Sequence, residues 1–410
     1  MMHDVSSMSA GGQWSSMTGA SIALAVMATQ ADRYVSDPKK ADFGAAAWIL
    51  HWLLAVVFAG SVAGMLSMGC LGDLIGHGRA LLVTKGLVVL GCFMCTLLPE
   101  QPDESGFWGQ LILWRFIIGV GLGGAYPLTA AVAGKANDVG KAFFWQTPGS
   151  VAPYLVALLV LKLLPGQTSP QFRWILGLGA VPSFLALGTS ISDPVAQPVR
   201  PASQLGLWEG LPQALSCPRL QRRLLGTAGS WFLFDVAAYG TTIFTPQILS
   251  YVFGKDHSLV HLAWHSILLL SWSIPATWLS VLALSRWRAR RLNLLGFVLQ
   301  AVLFATFASA YGFFYDMHKV LLALLCAIYF GLNWGVCVST YVLPIEVFPE
   351  EFRGTLHGVS AAAGKLGALV GACLFPLLNT IGGAWGTQLL DAGGGVWYGR
   401  LAKLNLLASR

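Results

Sequence analysis

Residues 107–133 read Phe107-Trp-Gly-Gln-Leu-Ile-Leu-Trp114-Arg115-Phe-Ile-Ile-Gly119-Val-Gly121-Leu-Gly123-Gly124-Ala125-Tyr126-Pro127-Leu-Thr-Ala-Ala-Val-Ala133, with one charged side chain among them. A helix needs about 20 mostly apolar residues to cross a bilayer. This stretch has the length, a glycine-lined face and an arginine one turn from it. The same pattern recurs near 14–30, 44–70, 79–98, 141–164 and 172–191, then near 225–253, 262–285, 290–313, 318–345 and 357–381, giving eleven spans in all. The first is only modestly hydrophobic. Where a twelfth would fall, residues 382–410 carry Asp391, Gly393-Gly-Gly395, Arg400 and Lys403. They read as a short surface-lying tail in place of a degenerate last span. The fold class expected is an all-α membrane protein of two helical bundles.

Composition agrees. Of 410 residues, 55% are hydrophobic and 10% are Asp, Glu, Lys or Arg, against about 25% charged in a soluble domain. So few charges cannot cover a water-facing surface, which excludes a soluble enzyme, a disordered chain and a nucleic-acid binder. The net charge of +7 sits in short loops between apolar runs, where basic residues set membrane orientation. Alternate loops hold Arg79, Lys135, Lys141, Arg200, Arg219, Arg222, Arg223, Arg286, Arg288, Arg290, Arg291 and Arg353. The opposite loops hold fewer bases, diluted by acids such as Asp32, Asp37, Glu100 and Asp103. The first set is expected on the cytoplasmic or matrix-like side, together with the N-terminus. Met1 to Gln13 contain no Lys or Arg, so no cleaved signal peptide is expected.

The polar break at 192–224 holds five prolines and Arg200, Arg219, Arg222 and Arg223. It reads as a linker on the basic side. The expected organisation is an N-terminal bundle over 1–191, the linker, a C-terminal bundle over 225–381 and the tail over 382–410. Gly60-x-x-x-Gly64, Gly119-x-x-x-Gly123 and Gly367-x-x-x-Gly371 let helix backbones approach closely.

Charges inside spans are costly and mark candidate sites. Lys85 lies near a span end, from which it can snorkel; Arg115, Asp235 and Lys365 lie deeper. Trp231, Asp235 and Tyr239 recur every fourth residue, so one helix stripe presents an indole N–H, a carboxyl and a phenol. Those groups suit an oxyanion, and an interhelical polar contact with aromatic packing accounts for them equally well. Lys365, in Ser360-Ala-Ala-Ala-Gly-Lys365-Leu-Gly367, has room around it and requires a carboxylate or an anionic substrate as counter-charge. Gln146 and Asn333 add neutral donors. His257, His261 and His265 also recur every fourth residue, and an interfacial position suits them better than a metal site. Cys92-Phe-Met-Cys95 has redox spacing, but mid-helix it reads as packing. No metal or cofactor site is expected, and no covalent enzyme machinery is recognisable.

At this point the residues resemble a known family. Two bundles and a polar linker resemble the major facilitator superfamily. Its loop motif is similar to Gly69-Cys-Leu-Gly-Asp73-Leu-Ile-Gly76-His77-Gly-Arg79, with the Arg displaced by two positions, and Arg115-x-x-x-Gly119 is similar to its fourth-span motif. More narrowly, Gly121-Leu-Gly-Gly-Ala-Tyr-Pro-Leu-Thr129 resembles the phosphate:proton symporter group of that superfamily. So do Gly226 to Gly240, Leu343-Pro-Ile-Glu346-Val-Phe-Pro349 through Arg353-Gly-Thr-Leu-His357-Gly, and Gly364-Lys365-Leu-Gly367. The resemblance implies phosphate contacts at Tyr126, Gln146, Trp231, Asp235, Tyr239, Asn333 and Lys365. It implies coupling or gating roles for Asp73, Arg79, Arg115, Glu346 and Arg353. This chain departs from the group at Ala125, where an acid is usual, and in span 14–30, which has none. The expectation is a secondary transporter of inorganic phosphate or a similar small oxyanion, with the question of a proton partner open. The alternative is a transporter-derived structural subunit of a larger membrane complex, and a sugar or organic-ion carrier stands behind both.

Overall fold

The computed structural model describes residues 46–98, 104–131, 140–192, 207–314 and 317–374, apart from residues 142, 244, 246–247, 250–252 and 254–257. The span at 14–30, the tail at 382–410 and His257 lie outside the described residues. Within them the chain is helical and contains no strand. In order the elements are α1 (Ala46–Ile75), α2 (His77–Leu97), α3 (Glu104–Ala131), α4 (Gln146–Leu163), α5 (Thr168–Gly177) and α6 (Ala180–Ser192). After residue 206 come α7 (Leu207–Ser216), α8 (Pro218–Ile243), α9 (Leu259–Ser271), α10 (Ser273–Leu284), α11 (Ala289–Phe314) and α12 (His318–Leu332). A π-turn (Asn333–Cys337), α13 (Val338–Val347) and α14 (Glu350–Leu374) complete the order.

Seven stretches among the described residues are long and apolar enough to cross a membrane: Ala55–Gly72, Gly78–Leu97, Gly106–Leu128, Leu259–Leu284, Ala289–Ala310, His318–Val347 and Glu350–Leu374. The all-α membrane architecture expected from the sequence is what forms. Two long helices outside that set, α4 and α8, are the ones that carry Gln146, Thr147 and Ser150, and Trp231, Asp235 and Tyr239, so apolarity yields where polar groups face inward. The chain also differs from the expected spans at two starts. Helix α8 begins at Pro218 and α14 at Glu350, each about two turns earlier than the apolar runs suggest. Pro218 suits a first helical position because its missing N–H would have no partner there. The break at 192–224 is therefore helical in its second half. There α7 buries Ala214, and α8 buries Leu220 and Leu224, against Phe348 and Leu356.

The three small-residue motifs sit at helix crossings. A Cβ on Gly60 or Gly64 would collide with the Phe116 or Val120 carbonyl, and one on Gly119 or Gly123 with the Val57 or Ser61 carbonyl. Helices α1 and α3 therefore run in parallel at backbone contact. Gly367 and Gly371 likewise lie on the Phe232 and Val236 carbonyls, and Gly364 on the Trp231 ring. Thr227 and Ser360 share a hydrogen bond of 2.9 Å one turn earlier. This parallel seam of α8 and α14 puts Asp235 beside Lys365.

One end of the molecule collects the basic residues. Glycine 76, with φ of 91°, makes the reversal from α1 to α2; a side chain at that φ would be strained. Arg79, Arg219, Arg222, Arg286, Arg288, Arg290 and Arg291 are exposed. Arg223 donates to the Val347 carbonyl at 2.7 Å, and Glu346 accepts the Ala289 N–H at 3.2 Å. Helices α8, α11 and α13 are thereby tied together at this basic end.

Candidate functional site

The α8–α14 seam sets the centre of the site. The Lys365 ammonium lies 3.2 Å from Asp235 Oδ2 and 2.5 Å from the Tyr239 hydroxyl. It also sits 4.1 Å from the centre of the Tyr239 ring. Lys365 is 6% exposed and Asp235 1%. Two charges taken out of water at this depth are tolerable because each is the other's counter-ion and the phenol adds a hydrogen bond.

These groups line a cavity of about 80 Å³. A water needs roughly 10–15 Å³ by this measure, so the space suits a small solute. Tyr126 comes from α3, Gln146, Thr147 and Ser150 from α4, and Trp231, Asp235 and Tyr239 from α8. Asn333, Cys337 and Thr340 come from the π-turn and α13, and Lys365 from α14. All seven residues singled out as phosphate contacts face this one space, although they come from both halves of the chain. Asn333 is aimed there by a broken helix. Gly335 has φ of 82°, and its N–H donates to the Ser280 hydroxyl at 2.8 Å instead of continuing the helix. Irregular backbone at membrane depth is tolerated where it is buried or lines a cavity.

Toward the basic end Tyr126, Phe143 and Trp231 floor the cavity, with Tyr341 and His357 packed behind them. Tyr126 lies 6.4 Å from Trp231 and 5.9 Å from Tyr341 between ring centres. Phe143 stacks on Tyr341 at 4.8 Å. His357 lies edge-on to Trp231 at 5.6 Å and to Tyr341 at 5.0 Å. Sequence reasoning passed over Phe143, Tyr341 and His357 as site residues. One signal was available: His357 precedes Lys365 by eight residues, so the two share a stripe of α14.

The residues singled out for coupling or gating lie elsewhere. Arg115 is 3% exposed and donates to the Leu53 carbonyl at 2.8 Å, tying α3 to α1. Asp73 falls in the last turns of α1, and Arg79 is exposed at the start of α2. Glu346 caps α11 through Ala289, and Arg353 keeps a buried Nε without a hydrogen-bond partner. Lys85 does not snorkel. It is 4% exposed and donates to the Ala186 carbonyl at 3.2 Å, because α6 covers the outer side of α2. His261 and His265 pack with their ring centres 4.2 Å apart. Among the described residues no cluster of His, Cys, Asp or Glu could hold a metal ion, and Cys92 and Cys95 are buried free thiols.

A multi-pass helical membrane protein with a charged cavity enclosed by helices from both halves has the form of a solute carrier. The chain belongs to the Major Facilitator Superfamily, whose model matches residues 8–372. It is 33% identical over 345 residues to the inorganic phosphate transporter PT2 of Toxoplasma gondii, a match over 80% of this chain and 59% of that relative. The chain therefore spans less than two thirds of that relative's length. It is 26% identical over 382 residues to the inorganic phosphate transporter 1-1 of Arabidopsis thaliana, covering 77% of this chain and 73% of the relative. Among solved structures it superposes on the proton:xylose symporter XylE bound to 6-bromo-6-deoxy-D-glucose with a TM-score of 0.76. Identity there is 16%, over 99% of this chain and 94% of that one, a likeness of fold. The family and the named relatives are transporters, not enzymes, and the resemblance to the phosphate-transporter group is thus found.

Proposed function

We propose that this protein carries inorganic phosphate, or a closely similar small oxyanion, by alternating access. The bundles 1–191 and 225–381 rock about the cavity, with the linker and the basic end in the cytoplasm. The observation that carries the reading is the Lys365–Asp235–Tyr239 cluster, an ammonium held by groups it can exchange for a solute. Lys365 supplies the positive charge. Tyr126, Tyr239, Trp231, Gln146 and Asn333 supply neutral donors. Asp235 accepts a hydrogen bond from a protonated phosphate oxygen, which sulfate lacks at neutral pH, so the carboxylate discriminates between the two. With the cavity empty, Asp235 takes the anion's place on Lys365 and leaves the site neutral, which lets the unloaded carrier reorient. Asp73, Arg79, Glu346 and Arg353 act at the basic end as the gate, and Arg115 holds the N-terminal bundle rigid. A proton accompanies the anion. The names of the relatives support phosphate over a sugar.

Purified protein in liposomes is expected to take up labelled phosphate under an inward phosphate and proton gradient, and Lys365→Ala to abolish that uptake. Absence of uptake by the unaltered protein under either gradient would sink the proposal.

A further inference from the structure

His357 is fully buried behind the floor of the cavity, against Trp231 and Tyr341. Its Nε2 lies 3.2 Å from the Tyr341 carbonyl. A carbonyl can only accept, so Nε2 carries the hydrogen and Nδ1 presents a lone pair. That Nδ1 is buried and has no hydrogen-bond partner among the described residues. A buried acceptor left unmet is costly, and a proton meets it. Asp235, the carboxylate lining the cavity, is engaged by Lys365 while the cavity is empty, and by the phosphate hydroxyl in the loaded site proposed above.

We propose that His357 is the group that takes up the proton accompanying the anion, with Nδ1 as the atom protonated; this rests on reading the cavity as an oxyanion site. The step is a protonation alone: a proton from water converts imidazole to imidazolium and leaves again as the anion is released.

The charges around His357 explain why the two events are linked. From α8 it meets Trp231, from α13 Tyr341, and across the floor from α3 Tyr126, none of them charged. Beside it, Gly358 approaches Pro127 of α3 and the Met65 carbonyl of α1. Glu346 lies farther along α13, engaged with Ala289. On α14 itself, Arg353 is one turn toward the basic end and Lys365 two turns toward the cavity. Both cations oppose charging of His357 while the cavity is empty. An anion on Lys365 offsets one of them. Eight helical residues separate His357 from Lys365, roughly 12 Å, and unit charges that far apart in a protein interior alter an equilibrium about tenfold. By linkage the anion raises the proton affinity of His357, and the proton raises anion affinity by the same factor. An imidazolium among Trp231 and Tyr341 also weakens the closed floor, because an isolated charge is poorly tolerated there.

Phosphate binding to the purified full-length protein, titrated calorimetrically in buffers of different ionisation enthalpy, gives the protons taken up per anion. Titrated between about pH 4.5 and 6, where phosphate stays monoanionic and takes up no proton of its own, the unaltered protein is expected to take up at most about half a proton per anion, the ceiling that a tenfold coupling sets. His357→Gln keeps an amide donor for the Tyr341 carbonyl and is expected to bind phosphate within about threefold. In that window it should take up almost no proton, and its liposome uptake should be nearly flat between about pH 4.5 and 6 where the unaltered protein varies several-fold. His357→Asn gives the same test should the Gln variant not fold. Proton uptake and a pH profile unchanged in these variants, with phosphate still bound, would overturn the role of His357 and leave the oxyanion site standing. Phosphate binding without any proton uptake by the unaltered protein would overturn it too. No phosphate binding at all would overturn both readings.

Discussion

The two halves of the chain bury their cations in different ways. In the C-terminal half, Lys365 meets a carboxylate and a phenol on a neighbouring helix and borders a cavity of about 80 Å³. In the N-terminal half, Arg115 and Lys85 are as deeply buried, at 3% and 4% exposed against 6%, yet donate to the main-chain carbonyls of Leu53 and Ala186. The space beside Lys85 is about 20 Å³, room for little more than a water. A charge in a membrane span is by default a functional candidate, and this comparison refines that rule. A cation bonded to a carbonyl within a helix seam is a clamp. A cation held by a side chain that can let go, beside space for a guest, is a binding group.

The largest test of that distinction is Lys365→Met. It leaves Asp235 charged and alone, so stability should drop by about 3–5 kcal/mol and phosphate uptake should vanish. The double variant Asp235→Asn/Lys365→Met should regain most of the melting temperature and none of the uptake; recovery of uptake would break the comparison from the C-terminal side. Arg115→Met comes next. Loss of the clamp should lower stability by about 1–3 kcal/mol while phosphate affinity, measured by calorimetry in detergent, stays within threefold of the parent; a larger affinity loss would make Arg115 a binding group after all. Tyr239→Phe removes one hydroxyl from the ammonium and should weaken phosphate binding about three- to tenfold with little change in melting. Smallest is Gly86→Ala, next to Lys85, where a Cβ meets nothing within 4 Å. Replacing a mid-helix glycine should raise stability by up to about 1 kcal/mol without touching transport.

Much of this was legible in the residues. The apolar runs gave the membrane class, and the three Gly-x-x-x-Gly motifs lie where helices touch backbone to backbone. The every-fourth-residue stripe Trp231, Asp235 and Tyr239 predicted a shared face, and it and Lys365 line the same cavity. What hydropathy could not give was helix starts such as Pro218 and Glu350, because polar residues at a membrane interface extend a helix without adding apolarity. It also could not separate Arg115 and Lys85 from Lys365. All three are single cations in apolar runs, and only the partner across the helix seam tells a clamp from a site. His357 stands within a recognisable motif but its chemistry is not legible there, since an imidazole shows its unmet nitrogen only once Tyr341 occupies the other one.

The most direct measurement is phosphate-dependent thermal stabilisation of the purified protein beside its Lys365→Met and Asp235→Asn forms, with sulfate as the control anion. A ligand that binds the folded state raises the melting temperature with concentration. The account predicts a rise with phosphate for the unaltered protein, a much smaller one with sulfate, no rise for Lys365→Met, and lost discrimination between the two anions for Asp235→Asn. A rise that persists undiminished in Lys365→Met, or none in the unaltered protein at millimolar phosphate, would contradict it.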